Sequence, residues 1–323
     1  MIELVPIASE SMGVRSMCCA IETPDVSILF DAGVSLGTRY NLAPHPREYL
    51  ALTEARRKIR DYARKADVIA ISHYHFDHFT PPFISDMICT FATKEESAAI
   101  YAGKRVLVKD IRENINYSQR KRGWIFQNFI GPMAQSVEEA DGRTFKFGGT
   151  VLKFSSPFSH GEDESELGYV IAATITYRDE SVTIAPDVQG PTTEDALAYI
   201  ELCKSNVLYV GGPPTYLAQS QMQEGVLARS IRNMSKLASV TPLMLIDHHL
   251  LRDIDWKRKV AEIFLEAEKS SNIVRTASGH LGSEDDLLEA SRKMLYEKEP
   301  PSEEFMAWVR MPPVKRRRIP PPL

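Results

Sequence analysis

Three histidines and an aspartate fall within six consecutive positions, His73-Tyr74-His75-Phe76-Asp77-His78. They follow the apolar run Val68-Ile69-Ala70-Ile71, so they are expected at the end of a buried strand, where imidazoles and a carboxylate can converge on a metal ion. With eight histidines in 323 residues, composition alone would yield His-x-His-x-Asp-His about a few times in ten thousand sequences, which makes coincidence a poor explanation. Side chains alternate along a strand, so His73 and His75 can face one way if the backbone stays extended. Asp77 and His78 are neighbours and reach one site only if the chain turns between them. Thr80-Pro81-Pro82 supplies the break.

Other potential ligands stand directly after other predicted strands. A hairpin over 144–147 and 150–155, turning at Gly148-Gly149, leads to His160. A second hairpin, 167–177 with 181–185, ends at Pro186-Asp187, and the apolar strand 243–246 ends at Asp247-His248-His249. His73, His75, Asp77, His78, His160, Asp187 and His248 make seven N and O donors with no cysteine among them. That set suits two borderline divalent ions better than one structural zinc. Two ions about 3.5–4 Å apart could hold a bridging hydroxide, lower its pKa toward neutrality and clamp the oxygens of a displacement reaction.

Two further residues have two readings each. Strand 26–30 closes on Asp31-Ala32-Gly33, with the glycine expected at positive φ; Asp31 caps the turn or supports the metal site. His280 follows strand 272–277 and Gly279, and it could donate a proton to a leaving group or contact substrate; helix capping or a surface position is the alternative.

The positioning elements are short strands at 3–7, 16–22 and 26–30, a helix from Pro46 to about residue 66 with a charged outer face, and strand 68–72. Residues 94–130 read as a basic insert with interleaved aromatics: Lys104, Arg105, Lys109, Arg112, Arg120, Lys121 and Arg122 lie among Tyr101, Tyr117, Trp124, Phe126 and Phe129. Such an insert could bind a phosphate-bearing or polynucleotide substrate, or serve as an amphipathic lid or dimer contact. After the second hairpin helix and strand alternate: helices at 192–203, 222–238 and 254–269, strands at 207–210, 243–246 and 272–277, and a helix opened by Ser283 with Asp286 three residues later. The tail 311–323, with Lys315-Arg316-Arg317-Arg318 among five prolines, is expected to be disordered.

At 323 residues and 43% hydrophobic content the chain can bury a sizeable core, read here as one domain over 1–310. A net charge of −4 argues against a generally basic nucleic-acid coat, leaving local basic patches open. Cys18, Cys19, Cys89 and Cys203 form no C-x-x-C pair, and adjacent Cys18-Cys19 could bridge only with strain. Reduced thiols and a cytoplasmic location are expected. The N-terminus lacks the pattern of a secretory signal, and no apolar run approaches the length of a membrane span.

His73-x-His75-x-Asp77-His78, a later His160, a later Asp187 and a final His248 resemble, in order, the motifs of the metallo-β-lactamase superfamily over roughly residues 1–300. The resemblance implies a four-layer αββα sandwich of the α+β class, here with a basic helical insert, and metals at one sheet edge. Carried over, His73, His75 and His160 would hold the first metal, Asp77, His78 and His248 the second, and Asp187 would bridge. His249 is the alternative to His248, and Asp31 resembles the strand-end aspartate that orients the histidine loop. Ala185-Pro186-Asp187 departs from the Gly-Asp pair often found there, and the stretches around 247–253 and 109–119 resemble an uncharacterised archaeal-type branch.

The resulting expectation is a metal-dependent hydrolase with two divalent ions, zinc first and manganese or iron as alternatives, in which Asp77 holds a metal and orients the nucleophile. The basic stretch leans the substrate toward a phosphodiester or other phosphoester, small or nucleic acid; lactone or thioester hydrolysis is the runner-up. A di-iron redox protein is a second class, counted against by His75 where such relatives carry glutamate, and a binding protein that has lost catalysis is a third, counted against by the full ligand set. A homo-oligomer is an open expectation.

Overall fold

The computed structural model describes residues 1–84, 90–163, 165–217 and 225–323. A six-stranded sheet carries β1 (Glu3–Ser9), β2 (Met17–Glu22), β3 (Ser27–Phe30), β4 (Val68–Ile71), β5 (Arg105–Val108) and β6 (Ser136–Glu139) in that spatial order. The pairs from β1 to β3 are antiparallel and those from β3 to β6 parallel. Hairpin β7 (Thr144–Phe147) and β8 (Thr150–Phe154) starts the second sheet; the chain then forms a ribbon of β9 (Phe158–Ser159) with β10 (Tyr169–Val170). Strands β11 (Ala173–Tyr177), β12 (Glu180–Ala185), β13 (Val207–Gly211), β14 (Leu243–Asp247) and β15 (Ile273–Arg275) complete that sheet in the order β15-β14-β13-β12-β11-β8-β7.

The two sheets face each other across a core of Met17, Ile21, Ile28, Phe30, Val68 and Ala70 from one and Leu152, Phe154, Ile175, Ile184, Tyr209 and Leu245 from the other. The outer face of the first sheet packs on helices α1 (Pro46–Lys65), α2 (Lys94–Tyr101) and α3 (Tyr117–Ile130) through Leu52, Ile59, Tyr101 and Phe126. The outer face of the second packs on α4 (Glu194–Cys203), α5 (Val226–Val240), α6 (Trp256–Lys259) and α7 (Ala261–Lys269) through Ile200, Met234, Trp256 and Ile263. This is the expected αββα sandwich. β4 shows why its sequence is unbroken: Val68 and Ala70 enter the inter-sheet core while Ile69 and Ile71 enter the helical layer. The chain ends with α8 (Ala277–His280), α9 (Arg292–Lys298), α10 (Glu303–Val309) and α11 (Pro313–Arg316).

Several expectations need correction. Residues 94–130 are not one insert, because Arg105–Val108 is strand β5, paired to β4 and β6. Its Val106, Leu107 and Val108 are fully buried, so the sheet claims the middle of the basic stretch. The helix expected from Ser283 starts only at Arg292: Asp286 N donates to Ser11 O, and Thr276 and Ser278 hydroxyls donate to Asp285 Oδ1, so this segment is tied to the loop after β1 and to the start of the helix Ala277–His280 instead. The tail expected to be disordered holds the short α11, and Ile319 O accepts the indole N–H of buried Trp308 at 2.8 Å. The helix read at 254–269 is two, joined at Val260, while the helix start read at Met222 lies outside the described residues.

Gly33 is the finest of these corrections. Its φ is not positive; the left-handed residue in that turn is Asp31, at φ 51°. A Cβ on Gly33 would sit 2.1 Å from Phe79 N, so glycine is required by the backbone of the histidine loop pressed against it. Among the described residues Cys18, Cys19 and Cys203 are free thiols; Cys89 lies outside them. No described helix is long and apolar enough to cross a membrane.

Candidate metal centre

The strand ends of both sheets meet at one edge. β4 delivers His73, His75, Asp77 and His78, and the chain turns there as required, His78 N donating to His75 O at 2.9 Å. The second sheet supplies His160 after β9, Asp187 after β12 and His248 after β14. Asp31, Asp187 and His248 all hold positive φ, at 51°, 52° and 66°. Each such non-glycine conformation costs about 1 kcal/mol or more, so three sharp turns aimed at one point are strain kept at the site.

His73, His75, His160 and Asp187 each offer a donor atom within 4.8 Å of the others, and Asp77, His78 and His248 form a second such group. Asp187 stands between them. Its Oδ2 lies 2.7 Å from His160 Nε2, 3.1 Å from His73 Nε2 and 3.3 Å from His78 Nε2, and its Oδ1 lies 2.8 Å from His248 Nε2. The Nε2 atoms of His73, His78, His160 and His248, and Asp187 Oδ1, are buried with no hydrogen-bond partner. Crowded on one carboxylate without well-aligned hydrogen bonds, and buried where such groups are normally satisfied, the convergent set calls for a bound cation. The donor chemistry fits divalent metal ions, and the cluster could hold two of them.

The opposite ring nitrogens are tied down. His78 Nδ1 lies 2.7 Å from Asp31 Oδ2, and Asp31 also accepts from Ser72 N and Ser72 Oγ, both at 2.7 Å. Ser72 Oγ lies 2.9 Å from His73 Nδ1, so one carboxylate orients two imidazoles. Of the two roles considered for Asp31, the carboxylate takes the one that holds the histidine loop; its bonds go to Ser72 and His78 rather than to N–H groups of its own turn. On the other sheet His248 Nδ1 lies 2.8 Å from Glu10 Oε2, and Arg252 Nε donates to Glu10 Oε1 at 2.6 Å. Arg252 also reaches Asp77 Oδ2, at 3.6 Å.

Electrostatics follow from this packing. Burial pushes the Asp31 carboxyl up, against the pull of His78 and Ser72. Burial also opposes charge on Asp187 and Asp77, but the imidazoles around them win and hold both carboxylates well below the usual range. Burial and then His78 depress His73, while His248, though buried, is raised to about 9 by Glu10 and Asp187.

His249, the alternative to His248, stacks on it with ring centroids 4.3 Å apart and forms a possible donor group with Asp187 and His248. His248 is the one facing Asp77, at 3.7 Å, and Glu10. His280 is not brought to the cluster. Its Nε2 lies 3.3 Å from Leu4 O, near the start of β1, whereas the metal-facing residues leave the far end of the sheet, so the proton-donor role expected for it is withdrawn.

Sequence reasoning missed Glu10, Ser72, Arg15 and Arg252; Arg122 it singled out only as one cation of the basic stretch. A cavity of about 330 Å³ opens over the cluster, lined by His75, Asp77 and His160 and by Arg15, Arg122 and Arg252. The guanidinium of Arg15 is held by Glu289, with Nε at 2.6 Å and the terminal nitrogen at 2.7 Å. Burial opposes charge on Glu289, but Arg15 outweighs it and lowers the carboxyl to about 2. A folded pKa below the unfolded one means stabilisation is complete above about 4.5 and is lost as pH falls toward 2, about 3 kcal/mol in all. The stability advantage of the native protein over Glu289→Gln should therefore shrink across that window in denaturant titrations; a difference constant from pH 6 to pH 2.5 would contradict it.

The family described as Beta-lactamase superfamily domain matches residues 27–212. A UPF0282 protein of Pyrobaculum arsenaticum is 41% identical over 300 residues, covering 92% of this chain and 95% of the relative. Another, of Methanopyrus kandleri, is 42% identical over 293 residues, covering 90% and 98%. Among solved structures, the metallo-beta-lactamase fold protein YhfI from Bacillus subtilis aligns with a TM-score of 0.48 at 13% identity, over 85% of this chain and 96% of that one. The family match and the two archaeal relatives, together with the αββα sandwich and the His/Asp cluster at its edge, show that the chain belongs to the metallo-β-lactamase superfamily and, within it, to the family of these UPF0282 proteins.

Proposed function

We propose that the protein is a metal-dependent hydrolase acting on a phosphoester, with a phosphodiester as the preferred class. The observation that supports this most is the combination of a convergent set of unsatisfied donors with a cavity whose rim carries guanidinium groups. Two divalent ions held by the set, zinc being the expected species, would supply an acidified water and positive charge against the negative charge that builds up in displacement at phosphorus. The residues of the chain do the rest. Asp77 lines the cavity at the floor, where its carboxylate, kept ionised by His78 and His248, can orient the attacking water and accept its hydrogen bond. Asp31 and Glu10 hold His78 and His248 in fixed orientations, so little reorganisation is needed as charge develops. Phe76, Leu167 and Leu217 also line the cavity, apolar side chains that would lower the local polarity around a bound substrate.

The test is metal analysis of the purified protein together with chromogenic phosphodiester, phosphomonoester, lactone and thioester substrates, beside Asp77→Ala. Retained metal and phosphodiester turnover are expected, with kcat/KM in Asp77→Ala lower by about 10²-fold or more. Equal activity in the variant, or turnover confined to lactones or thioesters, would overturn the reading.

A further inference from the structure

The cations of the stretch 104–122 are mostly committed to structure. Lys104 Nζ donates to Ala66 O at 2.7 Å, Arg105 pairs with Glu138 at 2.7 Å, fully buried Lys109 pairs with Asp141 at 2.6 Å, and Arg112 pairs with Asp110 and Glu139. At the cavity, Arg15 is spent on Glu289 and Arg252 on Glu10. Arg122 differs from all of these. It lines the same cavity as His75, Asp77 and His160, yet among the described residues no carboxylate lies within ion-pair distance of it. Its Nε donates to Ser118 O at 3.2 Å, one turn back on α3, and its guanidinium carbon lies 5.2 Å from the centroid of the Phe76 ring. The aromatic face and the helix carbonyl fix the plane of the fork, and among the described residues its terminal N–H groups have no hydrogen-bond partner.

A cation half-withdrawn from water, balanced only by the pull of Asp77 from beyond ion-pair distance, is costly, and it persists where a ligand completes it. We propose that Arg122 is the receptor for the non-reacting anionic oxygens of a phosphate-bearing substrate, gripping them bidentately while the reacting phosphorus lies over the His/Asp cluster. This deepens the phosphoester reading above and rests on it for the identity of the reacting group. Its placement explains why α3 is part of the catalytic rim. Gly123 packs against Tyr74 so closely that a Cβ there would lie only 2.6 Å from the ring, so the helix is pressed onto the histidine loop and carries Arg122 to its mouth.

The decisive measurement is calorimetric binding of inorganic phosphate to the metal-loaded full chain, with metal content determined for each protein. Arg122→Gln should weaken phosphate binding about tenfold, and Arg122→Lys, which keeps the charge but not the fork, should fall between it and the native protein. Both should retain native metal content. Unchanged phosphate affinity in Arg122→Gln, or no phosphate uptake by the native protein, would overturn the proposal. Should Arg122→Gln fail to fold, Arg122→Lys decides alone, native-like affinity in it meaning that no bidentate grip exists. Because binding is read without turnover, a protein that takes up phosphate through Arg122 but hydrolyses no ester would refute the hydrolase reading and leave the receptor standing.

Discussion

Asp187→Ala is expected to lower kcat/KM by about 10³-fold or more, roughly 4 kcal/mol of transition-state stabilisation, and to reduce metal retention from about two equivalents toward one or none. The reason lies in its position. Its two oxygens lie 2.7 to 3.3 Å from four imidazole nitrogens drawn from both sheets, so it stands between the two donor groups and close to both. Removing it deletes the negative charge that lets those nitrogens crowd together, leaving Asp77 to face the remaining ring nitrogens alone. Asp187→Asn separates charge from shape, because asparagine also tolerates the left-handed backbone found at φ 52°. Loss of metal in both variants assigns the effect to charge. Two equivalents of metal in Asp187→Ala, by elemental analysis, would refute the bridging position.

How far this site is legible in the sequence depends on how local each signal is. The His73 to His78 cluster is visible because one strand end carries four donors, and Asp187, His160 and His248 are visible because each follows an apolar run. Glu10 is not: it sits 238 positions from His248 in a single turn after β1, and nothing in its neighbours marks it as buried. Arg122 and Lys109 look alike in the sequence, yet one reaches the cavity and the other is consumed by Asp141, a distinction made only by packing. The apolar run Val106-Leu107-Val108 does signal a strand inside the supposed insert, but the surrounding charges obscure it. His280 shows the opposite error. Standing after a strand does not say where a side chain points, and the one-turn helix α8 turns it toward β1.

Asp31→Ala should cost about 4 kcal/mol of folding stability, measured by denaturant unfolding of metal-depleted protein so that metal binding does not enter the difference. The carboxylate is fully buried and accepts three hydrogen bonds, from Ser72 N, Ser72 Oγ and His78 Nδ1. Alanine leaves those three donors buried and unpaired, and it must also occupy the left-handed region at φ 51°, which asparagine or aspartate adopts more readily. Two opposing terms decide the size. Burial of the carboxylate is itself unfavourable, as its raised pKa shows, so part of the loss is recovered when the charge is removed. The stranded donors outweigh that recovery, because none can reach water from the interior between β3 and β4. Asp31→Asn keeps the backbone preference and one acceptor, and should lose about half as much. In Asp31→Ala His78 is no longer held, so metal affinity should fall about 10–100-fold on repletion. A stability within about 1 kcal/mol of native for Asp31→Ala, together with full metal occupancy, would mean that the histidine loop is held by Ser72 and the Gly33–Phe79 contact rather than by this carboxylate.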